Sequence, residues 1–245
     1  VLGLVQSSVK RALAYSSIAH SGYMLVGLLG PAVAGQQVGG PLSNGYGAVL
    51  FYLVAYGLAN LGAFAVLACI ESKGAEADTY ENIAGLARNH PGLAAIMLVS
   101  LLSLIGLPLT VGFVGKIYLF GTLLTAQDGQ LAAVSLVVIA VLNSAISAVY
   151  YLRIASACFF SEPNDNIVPV PTLARRLGAM LAALGTVVLG VAGGWLVDAA
   201  NNHLPRNQLQ LVSPHSAPAS SNTAQQQPVS ARPMAPRKPA VHHPS

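Results

Sequence analysis

Leu104-Ile105-Gly106-Leu107-Pro108-Leu109-Thr110-Val111-Gly112-Phe113-Val114-Gly115-Lys116 is the stretch that decides the fold of this chain. It lies inside an apolar run from Pro91 to Leu124 whose one charged residue is Lys116. As a single straight helix that run would extend about 51 Å, far past a hydrocarbon core of about 30 Å. Pro108 supplies an interruption, because it has no N–H and its ring clashes with the carbonyl four residues earlier. The spacing predicts a transmembrane helix broken around Gly106–Gly112. Irregular backbone at that depth is tolerated only inside protein or beside a water-filled cavity, as in the broken helices of transporters. A simple proline kink is the alternative, but a lysine eight residues further on favours an ion path.

Lys116 itself has apolar sequence on both sides and is eight residues from the end of the run. A lysine at a membrane-helix centre costs about 2.5–3.5 kcal/mol even on lenient insertion scales, so one found there marks a functional site. Snorkelling from a helix end is the other reading. Burial disfavours the charged lysine and a nearby carboxylate favours it, so a lysine poised between the two can load and release a proton.

The rest of the chain agrees with a membrane setting. Of 245 residues, 54% are hydrophobic and 8% charged, against roughly a quarter charged in soluble domains. Every Asp and Glu (Glu71, Glu76, Asp78, Glu81, Asp128, Glu162, Asp165, Asp198) falls at or between the ends of apolar runs. Residues 12–30, 46–70, 91–124, 131–160 and 173–197 are five runs long enough to span, which predicts an all-α polytopic membrane helix bundle over residues 1–198. The fifth run carries Gly178, Gly185, Gly190, Gly193 and Gly194, small residues that let helices approach closely. From Ala199 onward the composition turns to Pro, Ser, Gln, Ala and Asn, with eight of the fifteen prolines between Pro205 and Pro244; residues 199–245 read as a disordered tail. The net charge of +4 supplies no basic face for nucleic acid, because Arg232, Arg237 and Lys238 sit in the tail and most of the others border apolar runs. Cys69 and Cys158 lack metal or cluster spacing and read as apolar fillers. The opening Val1-Leu2-Gly3-Leu4-Val5 carries no signal-peptide pattern and reads as the last turn of a helix that starts upstream.

Alternating spans place Lys10, Arg11, Lys73, Arg88, Arg153, Arg175 and Arg176 on one side of the bilayer, while loops 31–45 and 125–130 opposite contain no Lys or Arg. The positive-inside rule makes the basic side cytoplasmic and sends the tail to the periplasm of a bacterium.

The first span holds a second polar set. Lys10 stands at its mouth, and Ser16, His20 and Tyr23 follow i, i+4, i+7, with Tyr15, Ser17 and Ser21 on neighbouring positions. His20 suits a proton relay because an unperturbed imidazole titrates near neutrality; a packed, satisfied histidine is the bland alternative. Asn60, Asn143, Ser144 and Ser147 in later spans read as helix–helix hydrogen-bonding groups. No Asp or Glu lies inside a span. A carboxylate to modulate Lys116 would therefore come from upstream of Val1 or from a neighbouring subunit, which points to an assembly.

At these residues the chain resembles the antiporter-like membrane subunits of respiratory complex I, the proton-pumping NADH:quinone oxidoreductase, and subunit N among them, the counterpart of mitochondrial NADH dehydrogenase subunit 2. The resemblance rests on Val9 to Tyr23, Gly85 to Pro91, Leu101 to Phe120 and Tyr150 to Arg153, and runs from about residue 1 to 198. It implies an antiporter-like fold of fourteen spans in two inverted five-helix repeats, of which this chain covers roughly the last five. It also implies that Lys116 is the lysine of the second broken helix, that Lys10 leads into the polar axis, and that Tyr15 and His20 lie beside it, with Gly106, Pro108 and Gly112 at the break. No cofactor or metal is expected on this chain: NADH, FMN, iron–sulfur clusters and quinone belong to partner subunits. The expected partners are the lipid bilayer and other complex I membrane subunits, an adjacent antiporter-like one supplying the carboxylate, in a bacterial inner membrane. The family often has two prolines at the break, and Leu109 in place of the second leaves open whether the break is full or a mild kink. A sister complex I subunit, a multisubunit cation/proton antiporter and a purely structural scaffold are the rival readings.

Overall fold

A computed structural model of the chain describes residues 2–34, 45–72, 75–76, 78–124, 130–164, 167–169 and 173–203. They belong to one compact unit, Val1–Pro205; the second unit, Arg206–Ser245, lies outside the described residues. After a single 3-10 turn at Leu2–Val5 come α1 (Val9–Ala34), α2 (Gly45–Ala68), the one-turn α3 (Leu86–Asn89), α4 (Pro91–Ile105), α5 (Val111–Leu124), α6 (Gln130–Phe160) and α7 (Leu173–His203). Helices α1, α2, α6 and α7 are long and apolar enough to cross a membrane. α4 and α5, of 15 and 14 residues, rise about 22 and 21 Å and cross a core of about 30 Å only in series.

One boundary needs correction, and the connectors hold an element that the helical pattern did not indicate. The predicted tail begins at 199, yet helix α7 continues to His203; residues 204–245, with the Pro-rich sequence, lie outside the described residues. The connectors also add a small three-stranded antiparallel sheet to the helical bundle. β1 (Ile70–Ser72) pairs with β2 (Ala75–Glu76) and with β3 (Ile167–Pro169), Ile70 opposite Pro169 and Glu71 opposite Val168. Further bonds hold this end together. The Val9 N–H donates to the Asp78 carbonyl at 2.6 Å, the Gly85 N–H to the Ala157 carbonyl at 2.9 Å, and the Arg175 guanidinium to the Ala68 carbonyl at 2.8 Å. Arg153 lies over the Tyr80 ring, 4.3 Å from its centroid. The ends that the basic residues marked as one side of the bilayer thus meet in space.

Helix α2 packs against α1, α4, α5 and α7. The buried apolar side chains fall into two clusters. One contains Val9, Leu13, Ala59, Val66, Met97, Leu101, Leu104, Tyr151 and Ile154; the other contains Tyr23, Ala48, Tyr52, Leu119, Phe120 and Ala140. Several buried polar residues fall between the two in sequence: Ser16 and His20 between Leu13 and Tyr23 on α1, Lys116 between Leu104 of α4 and Leu119 of α5, and Ser147 between Ala140 and Tyr151 on α6. These residues form a polar layer between the two apolar clusters. In lipid that arrangement is costly unless the polar groups satisfy one another. Cys69 and Cys158 are buried free thiols, in keeping with their reading as fillers.

Candidate functional site

Pro108 explains the break atom by atom. In an unbroken helix the Leu104 carbonyl would accept from residue 108, which has no N–H, so that acceptor is orphaned. The chain leaves the helix through Gly106 in the left-handed region (φ 85), where a residue without Cβ is at ease. It turns again at Leu109, also left-handed (φ 74) and 80% exposed. Two reversals of backbone sense make this a full interruption from Gly106 to Thr110, the broken helix that the spacing predicts, rather than a simple proline kink. The next helix is capped from within the break: the Thr110 hydroxyl donates to the Leu107 carbonyl at 2.7 Å and accepts from the Phe113 N–H at 3.4 Å. The Ser103 hydroxyl accepts from the Gly112 N–H at 3.1 Å.

Lys116 supplies the missing donors at the other side of the gap. One turn into α5, its side chain is buried, 8% exposed, and returns to the end of α4. Its Nζ donates to the Leu104 carbonyl at 3.1 Å, the Ile105 carbonyl at 2.6 Å and the Ser144 hydroxyl of α6 at 2.8 Å. All three protons of an ammonium are thereby used. The ammonium also sits at the negative end of the α4 dipole, where a cation is stabilised. Close packing leaves little freedom around it. A Cβ at Gly112 would fall 1.9 Å from the Ser103 carbonyl oxygen, and one at Gly190 of α7 would fall 2.5 Å from the Leu109 carbonyl oxygen.

His20 occupies a different kind of pocket. Its Nδ1 is 2.7 Å from the Tyr52 hydroxyl of α2 and its Nε2 is 3.1 Å from the Tyr151 hydroxyl of α6. A neutral imidazole has one donor and one acceptor nitrogen, which two phenols can match in either tautomer. Tyr56 stacks on the ring at a centroid distance of 4.4 Å. The Tyr56 hydroxyl is buried and has no hydrogen-bond partner among the described residues. Beside it is a cavity of about 10 Å³ lined by His20, Tyr52, Tyr56, Ser103, Leu104 and Gly112, which joins the histidine pocket to the helix break. Tyr23 forms a second link: its ring meets His20 edge-on at 5.5 Å and lies 5.8 Å from the Lys116 Nζ. Its hydroxyl accepts from the Asn143 side-chain amide at 3.2 Å.

The sequence-predicted residues therefore divide. Ser16, His20 and Tyr23 share the buried face that the i, i+4, i+7 spacing indicated, and Lys116 joins them. Lys10 and Tyr15 do not: Lys10 is in the first turn of α1, among the connectors, and Tyr15 is 37% exposed on an outer groove between α1 and α6. Asn143 and Ser144 both bond across helices, Ser144 to Lys116 of α5, whereas Ser147 donates to the Asn143 carbonyl of its own helix and Asn60 leaves its buried Oδ1 unpartnered among the described residues. The reading of the sequence missed Tyr52, Tyr56, Tyr151 and Ser103. A signal existed for the tyrosines, since a phenol inside an apolar helix needs a partner for its hydroxyl.

The comparisons with known proteins bear on this geometry. The profile of the family described as NADH:quinone oxidoreductase/Mrp antiporter, TM, matches residues 1–144. The chain belongs to this family. Among relatives of the family, NADH-quinone oxidoreductase subunit N 1 of Solibacter usitatus is 39% identical over 199 residues, 80% of this chain and 38% of that protein. NADH-quinone oxidoreductase subunit N 2 of Roseiflexus castenholzii is 43% identical over 188 residues, 76% of this chain and 36% of that protein. Among solved structures, a chain of respiratory complex I from Thermus thermophilus with bound aureothin superimposes with a TM-score of 0.62 at 34% identity, covering 80% of this chain and 41% of that one. The chain thus spans less than two fifths of the length of the curated relatives it matches. It is a polytopic helical membrane protein of the antiporter-like class.

Proposed function

We propose that these residues form part of a proton-translocating membrane subunit, of the subunit N kind, in an NADH:quinone oxidoreductase. The observation that carries this reading is the lysine at the break. Lys116 is held by the freed carbonyls of Leu104 and Ile105 and is linked to His20 through Tyr23 and a cavity at Ser103 and Gly112. Such a lysine can give up a proton and take one back while its carbonyl cradle stays in place, because that cradle is backbone at a helix end. Protons enter from the cytoplasmic side through a part of the subunit outside these residues, pass along the polar layer by way of His20, and load Lys116. A carboxylate on an adjacent antiporter-like subunit modulates the loading, and release occurs past the broken helix to the periplasmic side, where the C-terminal tail also emerges. Lys10 and Tyr15 act at the approach to this layer rather than within it. NADH oxidation and quinone reduction take place on partner subunits, which hold NADH, FMN, the iron–sulfur clusters and quinone.

The test is the ratio of protons moved to electrons transferred in membrane vesicles carrying Lys116→Met, with assembly of the complex measured in the same preparation. Assembly retained with the ratio lowered supports the reading. Assembly and ratio both at wild-type values would reduce Lys116 to a structural clamp and favour the scaffold. Sodium-dependent transport without redox turnover would favour the cation/proton antiporter, which the family description also covers.

A further inference from the structure

A second feature lies away from the polar layer, where α4 and α7 begin side by side. A groove of about 210 Å³ opens there, lined by His90, Gly92, Leu93 and Ile96 from the start of α4 and by Arg176 and Met180 from the start of α7. Its composition is divided along its length: Arg176, His90 and Leu93 are one turn or less from the helix starts, while the apolar Ile96 and Met180 lie deeper along the spans. Among the described residues the lining contains no carboxylate. The two adjacent arginines have different fates. Arg175 is engaged by the Ala68 carbonyl, whereas Arg176 is exposed along the groove. Gly92 has open space where a Cβ would stand, so the backbone at this point is accessible to a ligand. Below the groove α7 presents Leu177, Met180, Leu181 and Leu184 outward, a continuous apolar face toward the acyl chains.

A cation at the membrane edge above an apolar wall matches a molecule with an anionic head and a hydrocarbon tail. We infer that the α4–α7 groove is a binding site for an anionic phospholipid, with the phosphate on Arg176 and His90 and one acyl chain against Leu93, Ile96 and Met180. Basic pockets between transmembrane helices at the cytoplasmic surface recognise anionic headgroups on these terms. Arginine suits the phosphate because its planar fork donates two parallel hydrogen bonds. This inference requires only that the helices span a membrane and is independent of the proton route.

The experiment uses the intact membrane complex, reconstituted in phosphatidylcholine bilayers doped with a phosphatidylglycerol that carries a photoreactive acyl chain. After illumination, labelled peptides from residues 88–97 and 173–184 are quantified by mass spectrometry for wild type, Arg176→Gln and Arg176→Lys. We expect labelling of these peptides to fall several-fold in R176Q, to survive better in R176K, and to be weak with a phosphatidylcholine bearing the same photoreactive chain. Equal labelling by the two lipids, or labelling unchanged in R176Q, overturns the proposal. So does displacement of the label by excess inorganic phosphate, which would make this a free-phosphate site, or crosslinking of the groove to protein alone. Proton pumping per electron, followed in the same variants, should stay at the wild-type value, so a failure here is distinguishable from a failure of the proton-translocation reading.

Discussion

Lys116 and His20 are neighbours in one polar layer, yet the protein satisfies them by opposite means. The lysine is held mainly by backbone: two carbonyls freed at the helix break, with one hydroxyl from Ser144. The histidine is held entirely by side chains, the hydroxyls of Tyr52 and Tyr151, inside an aromatic enclosure completed by Tyr23 and Tyr56. The difference follows from charge. An ammonium in lipid needs fixed dipoles that cannot rotate away, and a helix end supplies them; a neutral ring needs only one donor and one acceptor. A broken helix is therefore the structural requirement of the lysine, and an unbroken α1 suffices for the histidine.

The largest expected effect comes from disturbing the break while leaving its polar groups intact. Gly112→Ala places a methyl group against the Ser103 carbonyl oxygen. Since neither partner is a flexible side-chain end, α4 and α5 must separate, at a cost of about 3 kcal/mol or more. We expect little assembled complex on native gels, and wild-type assembly would show that the contact between the half-helices is looser than its geometry implies.

Next in size are the phenols around His20. Tyr52→Phe and Tyr151→Phe each leave one imidazole nitrogen unpaired and should each cost about 1–3 kcal/mol in denaturant unfolding of the subunit in detergent. Tyr56→Phe removes a hydroxyl that already has no partner among the described residues and should be neutral or slightly stabilising. A loss in Y56F equal to that in Y52F would mean that a water fills the cavity beside His20 and bonds the Tyr56 hydroxyl. The two pockets would then be joined by more than Tyr23.

The smallest effect concerns Leu109. A left-handed leucine carries a strain of roughly 1–2 kcal/mol, and its exposed side chain has little packing to lose. Glycine relieves that strain but costs more chain entropy on folding. Leu109→Gly should therefore raise stability by less than about 1 kcal/mol, read as a small upward shift of the unfolding midpoint. A drop instead would show that the Leu109 side chain helps to hold the break open.

Much of this could be read from the chain alone. Leucine-rich runs of spanning length, a proline inside one of them and a lysine eight residues on are local facts, and the bilayer converts them directly into spans, an interruption and a buried charge. The buried face Ser16–His20–Tyr23 was equally legible, because helical periodicity orders neighbours in sequence. The extent of the break was not: it depends on the left-handed backbone at Leu109 and on the approach of Gly190 from α7, some eighty residues away. Lys10 and Tyr15 show the same limit in reverse, since their sequence context is shared with His20 but their places in the bundle are not.

The sequence by itself determined that this is a membrane helix bundle with one interrupted span and a lysine beneath the interruption, because hydropathy, proline chemistry and the cost of charge in lipid act within a single segment. Only the tertiary structure decided what satisfies that lysine and the histidine. Their partners come from α4 and α6 in one case and from α2 and α6 in the other. Which face of each helix meets which neighbour is set by packing across the bundle, and no single segment contains that information.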